Sequence, residues 1–253
     1  MKKKNRIIIC TLIFIGLLSF FLSNCKKNND SNDKNTVKDI EGNVYHTVTI
    51  GAQIWMVENL KVTKYRNGDA IGTTVPATLP TLQSEISYKY QWAYNGDESN
   101  VATYGRLYTW YAITDPRNVC PTGWHIPSND EWIILEDFLR SRGYTWDGST
   151  TNSAFAQSLA SDAGWDSNTT IWCAVGYHDT IKLNTTGFTA LPGGSRDPSG
   201  EFFSDGYAGF WWSSTEFSLS SYAYCRILFS DDCGLVINND GKNSGLSVRC
   251  LKD

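Results

Sequence analysis

The sequence predicts an α+β domain: mostly antiparallel short strands, with one or two helices in the middle of the chain. Three observations carry that expectation. Apolar and polar residues alternate over short runs near both ends of the chain, the period of half-buried strands. A helix-start pattern sits centrally, at residues 128–131. No strand–helix alternation recurs, which argues against stacked βαβ units. No internal repeat and no second domain is visible.

In chain order, Lys2, Lys3, Lys4 and Arg6 form a basic stretch ahead of an apolar run over residues 7–22. That run is shorter than the roughly 20 residues a membrane-spanning helix needs and suits a secretory signal peptide. It ends in Leu22-Ser23-Asn24-Cys25, which is similar to a bacterial lipobox. Cys25 is thereby the expected lipid attachment site, residues 1–24 the signal and residues 25–38 a flexible tether. A plain signal peptide or an uncleaved anchor is the alternative. The tether, rich in Lys, Asn and Asp, has too little apolar surface to offset its ordering entropy. These features place the protein outside the cytoplasm, anchored in the cell envelope, most naturally at the outer membrane.

The chain holds 22 Lys+Arg and 26 Asp+Glu. Residues 1–24 contain four of the basic groups and no acid, so the remainder has 18 against 26, a net charge of −8. Such a balance excludes nucleic acid as a partner, since phosphate contacts need clustered cations.

The folded region is expected over 39–253. Residues 44–50 alternate, with Val44, His46, Val48 and Ile50 on one side, and residues 54–60 follow a Gly51 turn, which makes a hairpin. Residues 65–100 are rich in turn formers. Residues 104–113 fit either a strand or a short helix. The segment Cys120-Pro-Thr-Gly-Trp-His-Ile-Pro-Ser-Asn-Asp-Glu-Trp132 then crosses a turn and a short strand into a helix over about 130–142. Ser128 and Glu131 have the spacing of a capping box, and Gly143 that of a C-terminal stop. Trp132, Leu135 and Leu139 lie on its core face, with Ile134 and Phe138 beside them. A second helix is expected over 153–161. Strands are expected at 187–191, 210–214, 222–229, 234–238 and 246–250, with Asp231-Asp232 as a tight turn.

Six motifs in order resemble one family: Val48-Thr-Ile-Gly-Ala-Gln-Ile-Trp-Met-Val-Glu-Asn-Leu60; Tyr104-Gly-Arg-Leu-Tyr108; the Cys120-to-Trp132 segment; Gly187-Phe with Leu191-Pro-Gly-Gly194; Trp211-Trp-Ser-Ser-Thr-Glu216; and Ser247-Val-Arg-Cys250. That family is the Fibrobacter succinogenes major paralogous domain of exported bacterial lipoproteins. More remotely, the pattern is similar to the C-type-lectin-like fold that includes formylglycine-generating enzymes. The resemblance implies a domain whose first and last strands pair. It implies no shared activity.

Five cysteines follow Cys25, and in an exported chain they are disulfide candidates first. Cys120 and Cys250 are the expected pair, tying the central motif to the last strand, and the partners of Cys173, Cys225 and Cys233 stay open. With three histidines and no Cys-x-x-Cys, no metal site is expected. Asp231-Asp232 and Asn238-Asn-Asp240 have the oxygen ligands calcium takes, but such clusters are more often turn chemistry. The tripeptides of calcium-dependent lectins are missing.

With ten Trp and thirteen Tyr, a carbohydrate-binding surface is the functional reading, set against the simpler one that the rings fill a core. Adjacent strand residues point oppositely, so one of Trp211 and Trp212 is expected to face outward as a ligand platform near Glu216. No carboxylate pair or nucleophile elbow can be placed, so no catalytic residue is assigned. His125 reads as a hydrogen-bonded core histidine. The expectation is a non-enzymatic binding or adhesion module for a glycan or surface protein, with a polysaccharide-acting enzyme or a structural surface protein as alternatives.

Overall fold

The computed structural model describes residues 35–74, 88–177 and 182–253. Strands β1 (Thr36–Lys38), β2 (Val44–Ile50) and β3 (Gln53–Met56) open the chain. Pairing of Thr36 with His46 and of Val37 with Tyr45 brings residues 36–38 into the sheet, so the sheet includes residues ahead of the expected boundary at Asp39. The expected signal peptide, Cys25 and most of the expected tether lie outside the described residues.

The short pair β4 (Gln91–Trp92) and β5 (Leu107–Tyr108) follows, with α1 (Val101–Tyr104) between them and α2 (Trp110–Ile113) after. Residues 104–113 are therefore neither one strand nor one helix, but parts of three elements. Next come β6 (Trp124–His125), α3 (Asn129–Ser141) and α4 (Ala156–Leu159). The chain closes with β7 (Gly193–Arg196), β8 (Phe202–Asp205), β9 (Ala208–Glu216), β10 (Tyr222–Phe229), β11 (Val236–Gly241) and β12 (Leu251–Lys252).

Two five-stranded sheets result, in the orders β1-β2-β3-β12-β6 and β11-β10-β9-β7-β8. Every pair is antiparallel except β7 with β9. The last strand lies between β3 and β6, with Leu251 opposite both Trp55 and His125, so the two ends of the described domain are paired as expected.

Helix α3 forms where local chemistry demands it. Ser128 Oγ accepts from Glu131 N at 3.2 Å, and Glu131 Oε2 accepts from Ser128 N at 2.8 Å, completing the capping box. Gly143 ends it at φ +68, and a Cβ there would sit 2.9 Å from Gly148 O. Trp132, Leu135 and Leu139 are fully buried, while Ile134 is exposed. Under the helix, Arg226 from β10 meets Glu136 Oε1 at 2.6 Å and Asn129 Oδ1 at 2.9 Å.

Strands β9 and β10 form a wall between two apolar clusters. Trp212, Ala223, Cys225 and Ile227 face one, with Tyr108, Met56 and Val248. Trp211 and Leu228 face the other, with Trp55, Trp132 and Phe188. Strand alternation thus sends successive residues into two different cores. The same holds in β2, where Tyr45 joins the first cluster and Ile50 the second. Val44, His46, Val48 and Ile50 share one side of β2 as expected, but only its far end is covered: Val44 and His46 are exposed, and His46 Nδ1 meets Glu58 Oε1 at 2.7 Å. Tyr45 is tolerated inside because its hydroxyl donates to Asp39 Oδ2 at 2.6 Å and accepts from Lys61 N at 3.0 Å.

Two expected strands are not strands. Residues 187–191 turn instead, with Gly187 at φ +73 and Thr189 at φ +56, and share only one bridge, Ala190 with Ala160. The turn aims the carbonyls of Phe188 and Thr189 at the buried guanidinium of Arg249, which also donates to Asn59 Oδ1 at 2.8 Å. Satisfying a buried cation outweighs a left-handed backbone at a β-branched residue. Residues 246–250 run extended between the two sheets, bonding Leu60 N to Val248 O and Met56 N to Cys250 O. The second helix covers only Ala156–Leu159 of the expected 153–161.

Candidate functional site

Burial decides among the aromatic candidates. Trp211 and Trp212 are both fully buried, so the expectation that one of them faces outward is corrected: neither offers a ring face to a ligand. Their indole N–H groups are satisfied internally, Trp211 by Asn59 Oδ1 at 2.9 Å and Trp212 by Tyr108 O at 2.7 Å. Glu216 is committed as well. Its Oε1 accepts at 2.5 Å from Lys242 Nζ, which is itself buried 4.3 Å over the Trp110 ring.

The cysteines resolve into two bridges. Cys120 and Cys250 are bonded, with Cα atoms 6.0 Å apart, as are Cys173 and Cys233 at 5.0 Å. Cys225 is a buried free thiol that burial pushes far above the usual range.

His125 is partly exposed and held between two carboxylates, Asp253 Oδ1 at 2.7 Å from Nδ1 and Glu131 Oε1 at 2.9 Å from Nε2. Burial pulls the imidazole down, but the two carboxylates outweigh it and its pKa is raised. Glu131 is in turn lowered, its burial outweighed by the Ser128 hydrogen bonds and His125. An open hollow of about 420 Å3 lies beside His125, lined also by Asp115 and Ser214. Asp115 is occupied by Arg117 at 2.9 Å and Lys89 at 2.7 Å. Every acid here has a structural partner.

Among the described residues, no group of three or more His, Cys, Asp or Glu is placed to hold a metal. Of the calcium-type candidates, Asp231 accepts from Tyr207 Oη at 3.0 Å and Asp232 Oδ1 from Gly234 N at 2.9 Å. Asp240 accepts from Gly241 N at 2.7 Å and Ser244 Oγ at 2.8 Å. These are turn and cap contacts.

What remains open is a crown of loops. Among the described residues from Arg142 to Pro192 there is one four-residue helix, far more irregular backbone than a compact domain normally carries without a functional reason. The crown is tied to the segment just after β10, with Ala156 N donating to Cys233 O and Gly176 N to Ser230 O at 2.7–2.9 Å, and to itself, with Trp146 N donating to Ala154 O at 2.9 Å. It carries Trp172, the most exposed large apolar side chain of the described domain at 66%, and Trp146 at 41%.

Trp172 stands on fixed backbone. Gln157 Nε2 donates to both Trp172 O and Ala174 O at 3.0 Å, Asn168 Oδ1 accepts from Thr170 N and Ile171 N at 2.9 Å, and Cys173 is bonded to Cys233. The sequence reading passed over Trp172 and Trp146. For Trp146 the signal was a tryptophan between Thr145 and Asp147 ahead of a Gly/Ser/Thr run, whereas Trp172, between Ile171 and Cys173, carried no such signal.

The fold and site define a disulfide-stapled α+β domain with a rigid aromatic loop face. Its chain belongs to the Fibrobacter succinogenes major domain family, whose model matches residues 48–252. No curated protein matches the chain. No solved structure matches it either.

Proposed function

We propose that this is a lipid-anchored binding or adhesion module of the cell envelope, with the loop crown as its ligand face. The ligand is a glycan or a surface protein. One observation carries the reading: a solvent-facing Trp172 on backbone pinned from both sides. Exposing a large ring is unfavourable in isolation, and rigid anchoring lowers the entropy lost when it is covered.

Two disulfides favour an oxidising compartment outside the cytoplasm. Among the described residues no helix is long and apolar enough to cross a membrane. The lipobox-like Leu22-Ser23-Asn24-Cys25 supports attachment through a lipid on Cys25. The pairing of β12 with the β2–β3 hairpin, and the bridge from the central motif to the chain's end, favour a C-type-lectin-like arrangement. Binding needs no cofactor and no calcium, and no catalysis accompanies it.

The test is a screen of the oxidised protein on immobilised glycans and envelope proteins, with calcium and with chelator. Capture without released product is the expected result. Release of sugar that is lost on Glu131→Gln would overturn the reading in favour of a polysaccharide-acting enzyme.

A further inference from the structure

We propose that Trp172 and Asp232 form a stacking subsite for a neutral pyranose, which rests on the reading of the crown as the ligand face. The two residues come from loops 60 positions apart, yet each directly precedes one cysteine of the Cys173–Cys233 bridge. The bond therefore holds the segment ending in Asp232 to the segment that carries the exposed ring, with the two cysteine Cα atoms 5.0 Å apart. Asp232 is itself exposed at the Asp231-Asp232 turn, with Oδ1 accepting from Gly234 N.

The chemistry narrows the ligand. A flat indole face accepts the C–H face of a sugar ring, while a carboxylate accepts from its hydroxyls. Before Trp172 the loop is built from Asn168, Thr169 and Thr170, and after it Ala174 and Val175 turn inward, so Ile171 is the exposed apolar residue adjoining it in the chain. A protein-docking hot spot sits in an apolar, desolvated surround, and this one does not. Asp231 and Asp232, together with the acidic balance of the chain, repel uronates and phosphates. A neutral polyhydroxylated ring satisfies all three conditions.

Calorimetry on the oxidised full chain tests this with soluble hexaoses of β-1,4-glucose, β-1,4-mannose and β-1,4-xylose, and with a hexagalacturonate. Wild type should bind at least one neutral hexaose. Trp172→Ala should then weaken it about tenfold or more, the loss typical of a central aromatic anchor. Trp172→Tyr should restore most of the affinity, and Asp232→Asn should weaken it severalfold. Removing the clip with Cys173→Ser and Cys233→Ser together should also weaken binding while near-ultraviolet circular dichroism of the core is kept. If wild type binds a neutral hexaose and Trp172→Ala binds it equally, the subsite is wrong and the module reading stands. If hexagalacturonate binds tighter than every neutral hexaose, the charge argument fails. If wild type binds none of the four but captures an immobilised envelope protein, the pyranose is overturned and the module survives. If it captures nothing, both fall.

Discussion

Trp211 and Trp172 are the same residue type in opposite circumstances. Trp211 lies on the wall between two cores, fully buried, ringed by Phe188 at 6.5 Å and bonded to Asn59. Trp172 lies in the crown, two-thirds exposed, with its backbone rather than its ring held in place. The first stabilises the fold by what surrounds it. The second contributes little to stability, and its rigidity makes sense only if something else covers it. Aromatic abundance by itself does not separate these roles, but the location of each residue's hydrogen bonds does.

The bridges divide in the same way, and the largest expected effect comes from the one in the first apolar cluster. Replacing Cys120 and Cys250 by Ala together should destabilise the domain by about 5 kcal/mol in the chain-entropy model for a separation of 130 residues. Chemical denaturation under non-reducing conditions measures it, and an unchanged midpoint would break the distinction between core and crown. Trp211→Ala comes next. Removing a fully buried indole should cost about 3–5 kcal/mol, although Asn59 Oδ1 keeps its bond from Arg249.

A smaller effect is expected from His125. Its folded pKa lies above the ordinary value of 6.5, so its contribution is fully present below that value and is lost as pH rises through the raised one. Stability should therefore fall by at most about 1 kcal/mol between mildly acidic and alkaline pH, as suits a partly exposed pair. His125→Gln should flatten that part of the stability–pH curve. Smallest of all is Trp172→Ala, expected within about 0.5 kcal/mol of wild type by the same denaturation series. A cost of several kcal/mol there would make Trp172 a core residue and remove its functional standing.

What was legible in the sequence was local. The capping box at Ser128 and Glu131, the Gly143 stop, the β2–β3 hairpin and the strand over 222–229 are each fixed by neighbours in the chain, and each stands where expected. Trp211 and Trp212 do point oppositely, as alternation requires. Their joint burial depends on a second core behind the sheet, which no local pattern announces. Residues 187–191 read as a strand because the competing demand, the buried Arg249, lies about 60 positions away. The Cys120–Cys250 bridge followed from a resemblance, whereas the partner of Cys173 was settled only by how the crown folds back on residues 230–235. The candidate site shifted for the same reason, since exposure is a property of the whole fold.

The central claim is that the crown, and not the wall, meets the ligand. Hydroxyl-radical footprinting with mass spectrometry tests it directly, with the protein free and then saturated with the glycan or envelope protein it captures. Trp172 should be the most readily oxidised tryptophan of the free protein and become protected on binding, while Trp211 and Trp212 stay unmodified throughout. Oxidation of Trp172 that is unchanged by a saturating ligand would contradict the account.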